Sequence, residues 1–362
     1  MSNLEIYELE QSERWTDVLA HIPQHDFYHL PQYHALAEQR REGRACLYVY
    51  CEADYCLALP LLLRPIADVP GLGKAGQTWM DATSVYGYVG PVASHTELPS
   101  EVIGRFQDAL TTALVEQRVV SLFSRLHPLL AQADLLTGLG QCVPLGSTVS
   151  IDLTLPADVR RARYRRNHRS DIDKLRRLGV HCRLDTTWDH LTEFVEIYGE
   201  TMCRVCATQS YCFDLAYFQR LVSLLGDEMQ LFVCQLEGEI ICGGLVSFCC
   251  EIVQYHLCGS RSAYRRLAPN KLMTDVMCEW AAEQGARVFH LGGGVGARRD
   301  SLFHYKSGFS DRVHDFDVWQ WVLLPEVYAQ LCTEQARRNR EHCLQPTSSD
   351  FFPRYRGCTD RS

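Results

Sequence analysis

The chain has 362 residues, with 36 Lys and Arg against 44 Asp and Glu, 46% hydrophobic residues and 17 Cys, a length ordinary for two domains and long for one. With only 22% charged residues, it holds enough apolar surface to offset the entropy of ordering, which excludes disorder as its main state. Its longest strongly apolar stretch, Ile240 to Cys250, has eleven residues, about half the ~20 that a bilayer demands, and Met1-Ser-Asn-Leu-Glu-Ile6 carries no export signal, so no membrane span and a cytoplasmic location are expected.

Along the first half, Leu4 to Leu9 reads as a strand, Glu13 to Ala20 as a helix, and a second helix follows Pro31. Cys46 to Val49 and Cys56 to Leu63 form a hairpin turning at Glu52-Ala-Asp54. After a Gly- and Pro-rich loop, Tyr86-Gly-Tyr-Val-Gly-Pro91 suits a strand end where backbone passes close to a neighbour. Val102, Ile103, Phe106, Leu110 and Leu114 recur at helical spacing, and strands are expected at Val119 to Phe123 and Ser150 to Leu153.

The second half repeats this order. Trp188, Leu191, Val195, Tyr198 and Met202 make one amphipathic helix, and Leu215, Phe218, Leu221 and Leu225 another. A hairpin, Leu231 to Gln235 and Ile240 to Phe248, is followed by strand Val253 to Cys258, helix Asn270 to Gln284 and strand Val288 to Leu291. Leu30 to Leu36 lies over Leu215 to Leu221 at a shift of 185, and Val49 to Ala58 over Val233 to Cys242 at 184. Shared order and spacing point to an internal duplication. The expected layout is a first domain over 1–150, a second over 151–314, a return strand and helix over 315–343, and a poorly ordered tail over 344–362.

The cysteines are odd in number and many sit in strand-like runs, such as Cys46, Cys51, Cys56, Cys242, Cys249 and Cys250, so they read as small buried hydrophobes. Cys203-Arg-Val-Cys206 with Cys212 has zinc-like spacing but no second pair at zinc-ribbon distance, and His25 and His29 lack the intervening Glu of a metalloprotease; no metal is expected. The net charge of −8 conceals a local patch: Val159 to Arg177 holds eight Arg and Lys174 against Asp171 and Asp173, a net +7 that leaves −15 on the rest. Tyr164, His168, Ile172 and Leu175 share one helical stripe there, leaving Arg165, Arg169, Arg176 and Arg177 outward, either to attract a polyanion or to form a solvated face with Arg169 paired to Asp173.

Three segments carry a family resemblance: Arg166 to Gly179, a basic helix ending in Gly; Tyr198-Gly-Glu-Thr-Met-Cys-Arg204, continuing to Tyr211 and Tyr217-Phe218; and Leu291-Gly-Gly-Gly294 followed by Asp300-Ser-Leu-Phe-His-Tyr-Lys-Ser-Gly-Phe309. Together they resemble the transferase family of the Fem-type peptidoglycan aminoacyltransferases and their relatives. Phe27-Tyr-His29 and Tyr86 to Pro91 are similar to segments of its first domain. The resemblance implies an α/β (mixed α+β) fold of two tandem GNAT-like acyltransferase domains, with acyl or aminoacyl transfer to an amine at their junction and the last strand, near 315–325, returned to the first domain. The chain lacks that family's coiled-coil insertion, and its first-domain helix offers Leu36, Ala37 and Glu38 where some members place a phosphate-binding Lys.

Aminolysis of an activated ester requires a neutral amine, a stabilised oxyanion and two substrates within reach, with no covalent enzyme intermediate. Lys306 is the candidate catalytic cation; the competing reading is a surface Lys after a strand. Arg204, Tyr211, Asp300 and Ser301 are candidate substrate-binding residues, with Arg204 alternatively paired to Glu200 one turn back and Tyr211 alternatively capping the core. Arg165, Arg169, Asn270 and Gly293 are candidates for donor phosphate. The turn before the helix at Asn270, Arg265-Arg-Leu-Ala-Pro-Asn270, has no glycine, which disfavours a coenzyme A pyrophosphate loop. The expected function is N-acyl transfer with no permanently bound cofactor. Aminoacyl-tRNA, held through segment 159–177, is favoured as co-substrate, with acyl-CoA kept open, and the acceptor is an amine-bearing small molecule or peptide. A non-catalytic binding protein that retained the fold is the alternative.

Overall fold

The computed structural model describes residues 4–342, 345, 346 and 351–359. In chain order the elements are β1 (Leu4–Glu8), α1 (Ser12–Ala20), α2 (Pro31–Gln39), β2 (Arg44–Glu52), β3 (Tyr55–Pro65), β4 (Met80–Thr83), β5 (Val92–Ala93), α3 (Ser100–Glu116), β6 (Val119–Arg125) and β7 (Gln141–Asp152). They continue as α4 (Ala157–Arg163), α5 (Arg166–Arg177), β8 (His181–Leu184), α6 (Leu191–Arg204), α7 (Leu215–Leu225), β9 (Met229–Leu236), β10 (Glu239–Cys249), β11 (Ile252–Ser260), α8 (Asn270–Glu283) and β12 (Val288–Gly293). The remainder is α9 (Ser301–Lys306), β13 (Arg312–Val322), α10 (Pro325–Glu341) and a short ribbon of β14 (Gln345–Pro346) with β15 (Cys358–Thr359). Among the described residues no helix is long and apolar enough to cross a membrane.

Two compact units result. The first takes the chain up to Leu145 and again from Phe316, and the second takes Gly146–Asp315. In the first, the strand order is β1-β2-β3-β4-β6-β13, with β5 also on β3. All pairs are antiparallel except β4 with β6. Val102, Phe106, Leu110 and Leu114 line one face of α3 and pack on alternate residues of β2 and β3, namely Cys46, Tyr48, Tyr50, Leu57, Leu59 and Leu61. That is the 3.6-residue period of a helix meeting the two-residue period of a strand. The opposite face carries a smaller core of Ile66, Val69, Leu72, Val120, Leu331 and Tyr355.

The second unit repeats the arrangement, in the order β7-β12-β11-β10-β9-β8. Its one parallel pair is β11 with β12, the counterpart of β4 with β6. Element by element, β1-α1-α2-β2-β3-β4-α3-β6 corresponds to β8-α6-α7-β9-β10-β11-α8-β12, the same succession of strands and helices. The antiparallel strand after the parallel pair is β13 in the first unit, through Val318↔Arg125 to Val322↔Ser121, and β7 in the second, through Val288↔Asp152 to Gly293↔Thr148.

Several sequence expectations are corrected. α6 begins at Leu191 because Trp188 has φ +61°, outside the helical region; its buried face is Leu191, Phe194, Ile197 and Tyr198 rather than a stripe through Val195 and Met202. Of the six cysteines expected to be buried, Cys46, Cys242 and Cys249 are, whereas Cys250 is half-buried and Cys51 and Cys56 pair as a cross-strand disulfide near the tip of the β2–β3 hairpin. The basic stripe is broken between α4 and α5, where Tyr164 and Arg165 are extended. Within the expected poorly ordered tail, Tyr355 is fully buried; residues 344, 347–350 and 360–362, part of the same expectation, lie outside the described residues.

Candidate functional site

The second unit opens along one strand. β11 pairs with β10 up to Ser260, with a bulge at His256 where the register shifts between Leu257↔Leu245 and Tyr255↔Val246. Its parallel pairing with β12 covers three residues, Ile252↔Val288 to Gln254↔His290. Beyond His290, β12 parts from β11 but stays on β7, with which it pairs from Val288 onward, its register shifting before Gly292↔Val149 and Gly293↔Thr148. Among the described residues, β11 from Tyr255 onward thus has a strand on one side only. A bulge adds local twist and redirects the strand, and Gly292, at φ +74°, allows β12 to depart at the same level.

Lys306 lies at this mouth. It ends α9, is 9% exposed, and its Nζ donates to the Gly293 carbonyl at 2.8 Å. A Cβ on Gly292 would lie 3.3 Å from that nitrogen. Burial lowers the Lys306 ammonium to about 8, against the pull of Cys258 and Asp300. It is therefore not the surface lysine of the competing reading. Asp300 caps α9, accepting from Leu302 N at 3.1 Å and Phe303 N at 3.0 Å while also holding Val295 N at 3.1 Å. Burial opposes its charge, but these backbone donors outweigh it and hold the carboxyl below its usual range. Ser301, the first residue of α9, is exposed.

α5 clamps the other end of α9. Arg165 donates its backbone N–H to Gly308 O at 2.8 Å, and its guanidinium to His304 O at 2.8 Å and Ser307 Oγ at 3.0 Å. His168, kept neutral by burial and by Lys271, which lower it to about 4, donates through Nε2 to Tyr305 O at 3.0 Å. A Cβ on Gly308 would fall 2.3 Å from this ring, which Tyr305 and Phe309 hold on either side. Gly308→Ala is therefore expected to lower stability by about 2 kcal/mol, within the usual range for overpacking; an unchanged urea midpoint would contradict it.

α8 supplies the third side. The glycine-free turn before it is a short 3-10 helix, Ser262–Leu267, closed by Ala268 in the left-handed region. Asn270 begins α8 and directs Nδ2 to Cys258 Sγ at 3.9 Å. Burial raises the Cys258 thiol, opposed by Tyr255, Lys306 and Asn270, which places all four around one point on β11. Lys271 follows, buried and paired to Asp171 Oδ2 of α5 at 2.6 Å.

Lys306, Asp300, Gly293 and Asn270 are thus brought together, with Arg165 behind α9. Gly293 presents its carbonyl, not its N–H, to Lys306. Arg204 is engaged elsewhere, donating to Ser260 O at 3.2 Å, Ser262 Oγ at 2.9 Å and Thr201 Oγ1 at 3.1 Å. Instead of pairing with it, Glu200 accepts from Ser262 N at 2.7 Å, so both side chains fasten the turn that ends β11. Arg204→Ala is expected to lower stability by about 1–2 kcal/mol, as for a charged donor to backbone. If Arg204 instead held substrate, the change would appear in KM with stability unaltered. Tyr211 is half-buried in a 3-10 turn, and its carbonyl accepts from Tyr198 OH at 2.7 Å.

The basic segment is largely engaged within the unit. Arg160 is buried and donates to Leu155 O at 2.6 Å. Arg161 grips Asp275 of α8 with two bonds of 3.0 and 2.9 Å and also bonds Glu279, while Arg176 adds a third bond to Asp275 at 2.7 Å. Arg169 donates to Ala162 O at 3.3 Å rather than to Asp173. Arg163, Arg166, Arg169, Lys174 and Arg177 remain exposed. Sequence reasoning missed the Asp275 cluster, although a carboxylate amid Leu272, Met273, Val276 and Met277 was the signal: a buried acid requires cations, and the nearby run of arginines is their source.

Residues 162–307 match the family described as acetyltransferase (GNAT) domain. The chain is 27% identical over 175 residues to the UDP-N-acetylmuramoylpentapeptide-lysine N(6)-alanyltransferase of Weissella viridescens, covering 46% of this chain and 50% of that protein. It thus spans about half the length of this curated relative. Among solved structures, FemX superposes with a TM-score of 0.69 at 15% identity, over 90% of this chain and 99% of that one. The C-terminal domain of a putative lysylphosphatidylglycerol synthetase from Agrobacterium fabrum gives 0.52 at 12% identity, over 86% and 92%. At these identities the superpositions speak for the fold: tandem GNAT-like units in a mixed α+β chain.

Proposed function

We propose that this chain, tandem-GNAT in fold and similar to a Fem-type alanyltransferase, is an N-acyltransferase moving an aminoacyl or acyl group from an activated ester or thioester to an amine. The observation that carries this reading is the buried Lys306 ammonium at the open flank of β11. The neutral amine attacks the donor carbonyl, Lys306 and the backbone N–H groups of β11 stabilise the oxyanion, and the leaving oxygen or sulfur departs with a proton originating from the amine. Such charge stabilisation requires no covalent intermediate.

Aminoacyl-tRNA is the favoured donor. The glycine-free turn before α8 leaves little room for backbone to approach a pyrophosphate, and the exposed cations of α4 and α5 suit a longer polyanion. The acceptor is an amine on a peptide or small molecule; the Weissella relative, by its name, modifies a lysine N6. The test is discharge of total charged tRNA, or of an acyl-CoA panel, dependent on added amine. No discharge from any donor removes the enzyme reading, and discharge from acyl-CoA alone removes the tRNA donor. With tRNA, KM should rise steeply with salt, and Arg166→Ala/Arg169→Ala should flatten the log–log slope by about 1–2, roughly one per lost phosphate contact. A salt-independent KM would exclude this face.

A further inference from the structure

We propose that the first unit contains a peptide-binding site specific for a Tyr-Arg pair, and that residues 352–356 of the chain are its resident, exchangeable ligand. The segment Phe351-Phe-Pro-Arg-Tyr-Arg-Gly357 returns to the unit after α10. Tyr355 is 0% exposed, its ring enclosed by Ile66, Val69, Leu72, Val120 and Leu331. Its hydroxyl donates to Asp81 Oδ2 at 3.1 Å and so accepts from Ser121 Oγ at 2.8 Å. Arg356 pairs through Nε with the same Asp81 oxygen and donates NH2 to Pro65 O at 3.1 Å. Arg64 binds the other Asp81 oxygen at 2.7 Å. On the flank, Phe352 stacks on Tyr328 at 5.8 Å, and Tyr328 OH accepts from Arg354 N at 3.1 Å.

Selectivity follows from burial. Asp81 and Ser121 have no exposed surface, and a buried carboxylate with one internal cation calls for a further donor. A phenylalanine at 355 fills the pocket but leaves the Ser121 and Asp81 groups without that hydroxyl. A lysine at 356 lacks the fork that reaches a carboxylate and a carbonyl together. The segment is also held as a bound peptide is held. Among the described residues none of 351–357 pairs with the unit's sheet, and the strand just after them, Cys358–Thr359, pairs with Gln345–Pro346; the attachment is an aromatic anchor in a closed pocket with a charged neighbour, the anatomy of a binding hot spot. Tethering keeps the site filled by raising the local concentration of the ligand.

The test uses the full chain with a protease site replacing Thr347–Asp350, cut so that the segment stays by affinity alone, and a fluorescein-labelled peptide of residues 351–357 followed by anisotropy. Saturable binding is expected, at least tenfold weaker for the Tyr355→Phe or Arg356→Ala peptide, with Asp81→Asn in the protein removing the preference for Arg356. Retention of the segment without exchange, equal binding of all peptides, or unfolding once the segment is diluted away would each overturn the proposal and make the segment an inseparable part of the core. On the uncut chain, excess free peptide should speed amide hydrogen exchange in 351–357; unchanged protection would count against exchange.

Discussion

Replacing Lys306 with methionine is expected to yield a protein that is more stable than the parent at pH 7 and turns over at least ~10²-fold more slowly, the scale of losing one charge-stabilising group. The two effects share a cause. An unfolded lysine titrates near 10.5, and burial lowers Lys306 to about 8. Below 8 both states are charged and the fold bears the whole desolvation penalty; between 8 and 10.5 the unfolded chain binds more protons, so stability rises with pH; above 10.5 the penalty is gone. The shift corresponds to about 3 kcal/mol, from which the lost bond to Gly293 O subtracts about 1 kcal/mol. Urea melts of parent and Lys306→Met should therefore differ at pH 7 in favour of the variant and cross between about pH 9 and 10, with the parent ahead by about 1 kcal/mol above that. Equal midpoints at pH 7 would show that the ammonium is not destabilised where it sits. Turnover has the opposite dependence: a neutral acceptor amine favours higher pH, the Lys306 ammonium is lost above about 8, and Lys306→Arg should remove that alkaline limb.

A buried ammonium that weakens the fold at a strand mouth is the feature on which the proposed function rests, and half of it was legible in the residue string. The Asp300 to Phe309 block announced itself through a capping Asp, a short helix and flanking glycines. The neighbours of Lys306 were not legible, because Cys258 and Asn270 reach it only through the bulge at His256 and the parting of β11 from β12. Arg204 shows the opposite failure: its type and helix position suited an anion, but Ser260 and Ser262 come from 56 and 58 residues away, a distance that no local pattern encodes. The duplication was readable in element order. The return of the strand near 315–325 to the first unit was an expectation carried by the family resemblance, and β13 does pair with β6; that β7 completes the second sheet on β12 was not readable, and only the pairing assigns it. Tyr355 was lost inside a polar, proline-bearing stretch whose composition resembles disorder, because a single anchored aromatic has no periodicity.

The largest loss of stability is expected from Arg161→Met/Arg176→Met. Asp275 is 1% exposed, whereas the two guanidinium side chains that hold it are 34% and 42% exposed. Removing the acid lets both arginines swing into water, so Asp275→Asn alone should be mild. Removing the arginines leaves a carboxylate that cannot reach water, a situation that costs about 3–5 kcal/mol. The asymmetry gives an internal control: Asp275→Asn added to the double methionine variant should recover most of the loss, whereas additive penalties would mean that the arginines act through packing instead. Function should follow the same order. Asp275 ties α4 and α5 to α8, whose first residue, Asn270, meets Cys258, and α5 carries Arg165 and His168, which clamp α9 behind Lys306. The double variant should therefore lose turnover in proportion to the displacement of these helices, while the triple variant, folded and neutral at the same position, regains it. Half of the arginines that gave the sequence its basic run, Arg160, Arg161, Arg165 and Arg176, would then be holding helices in place around the proposed site, and the exposed half would face a polyanion.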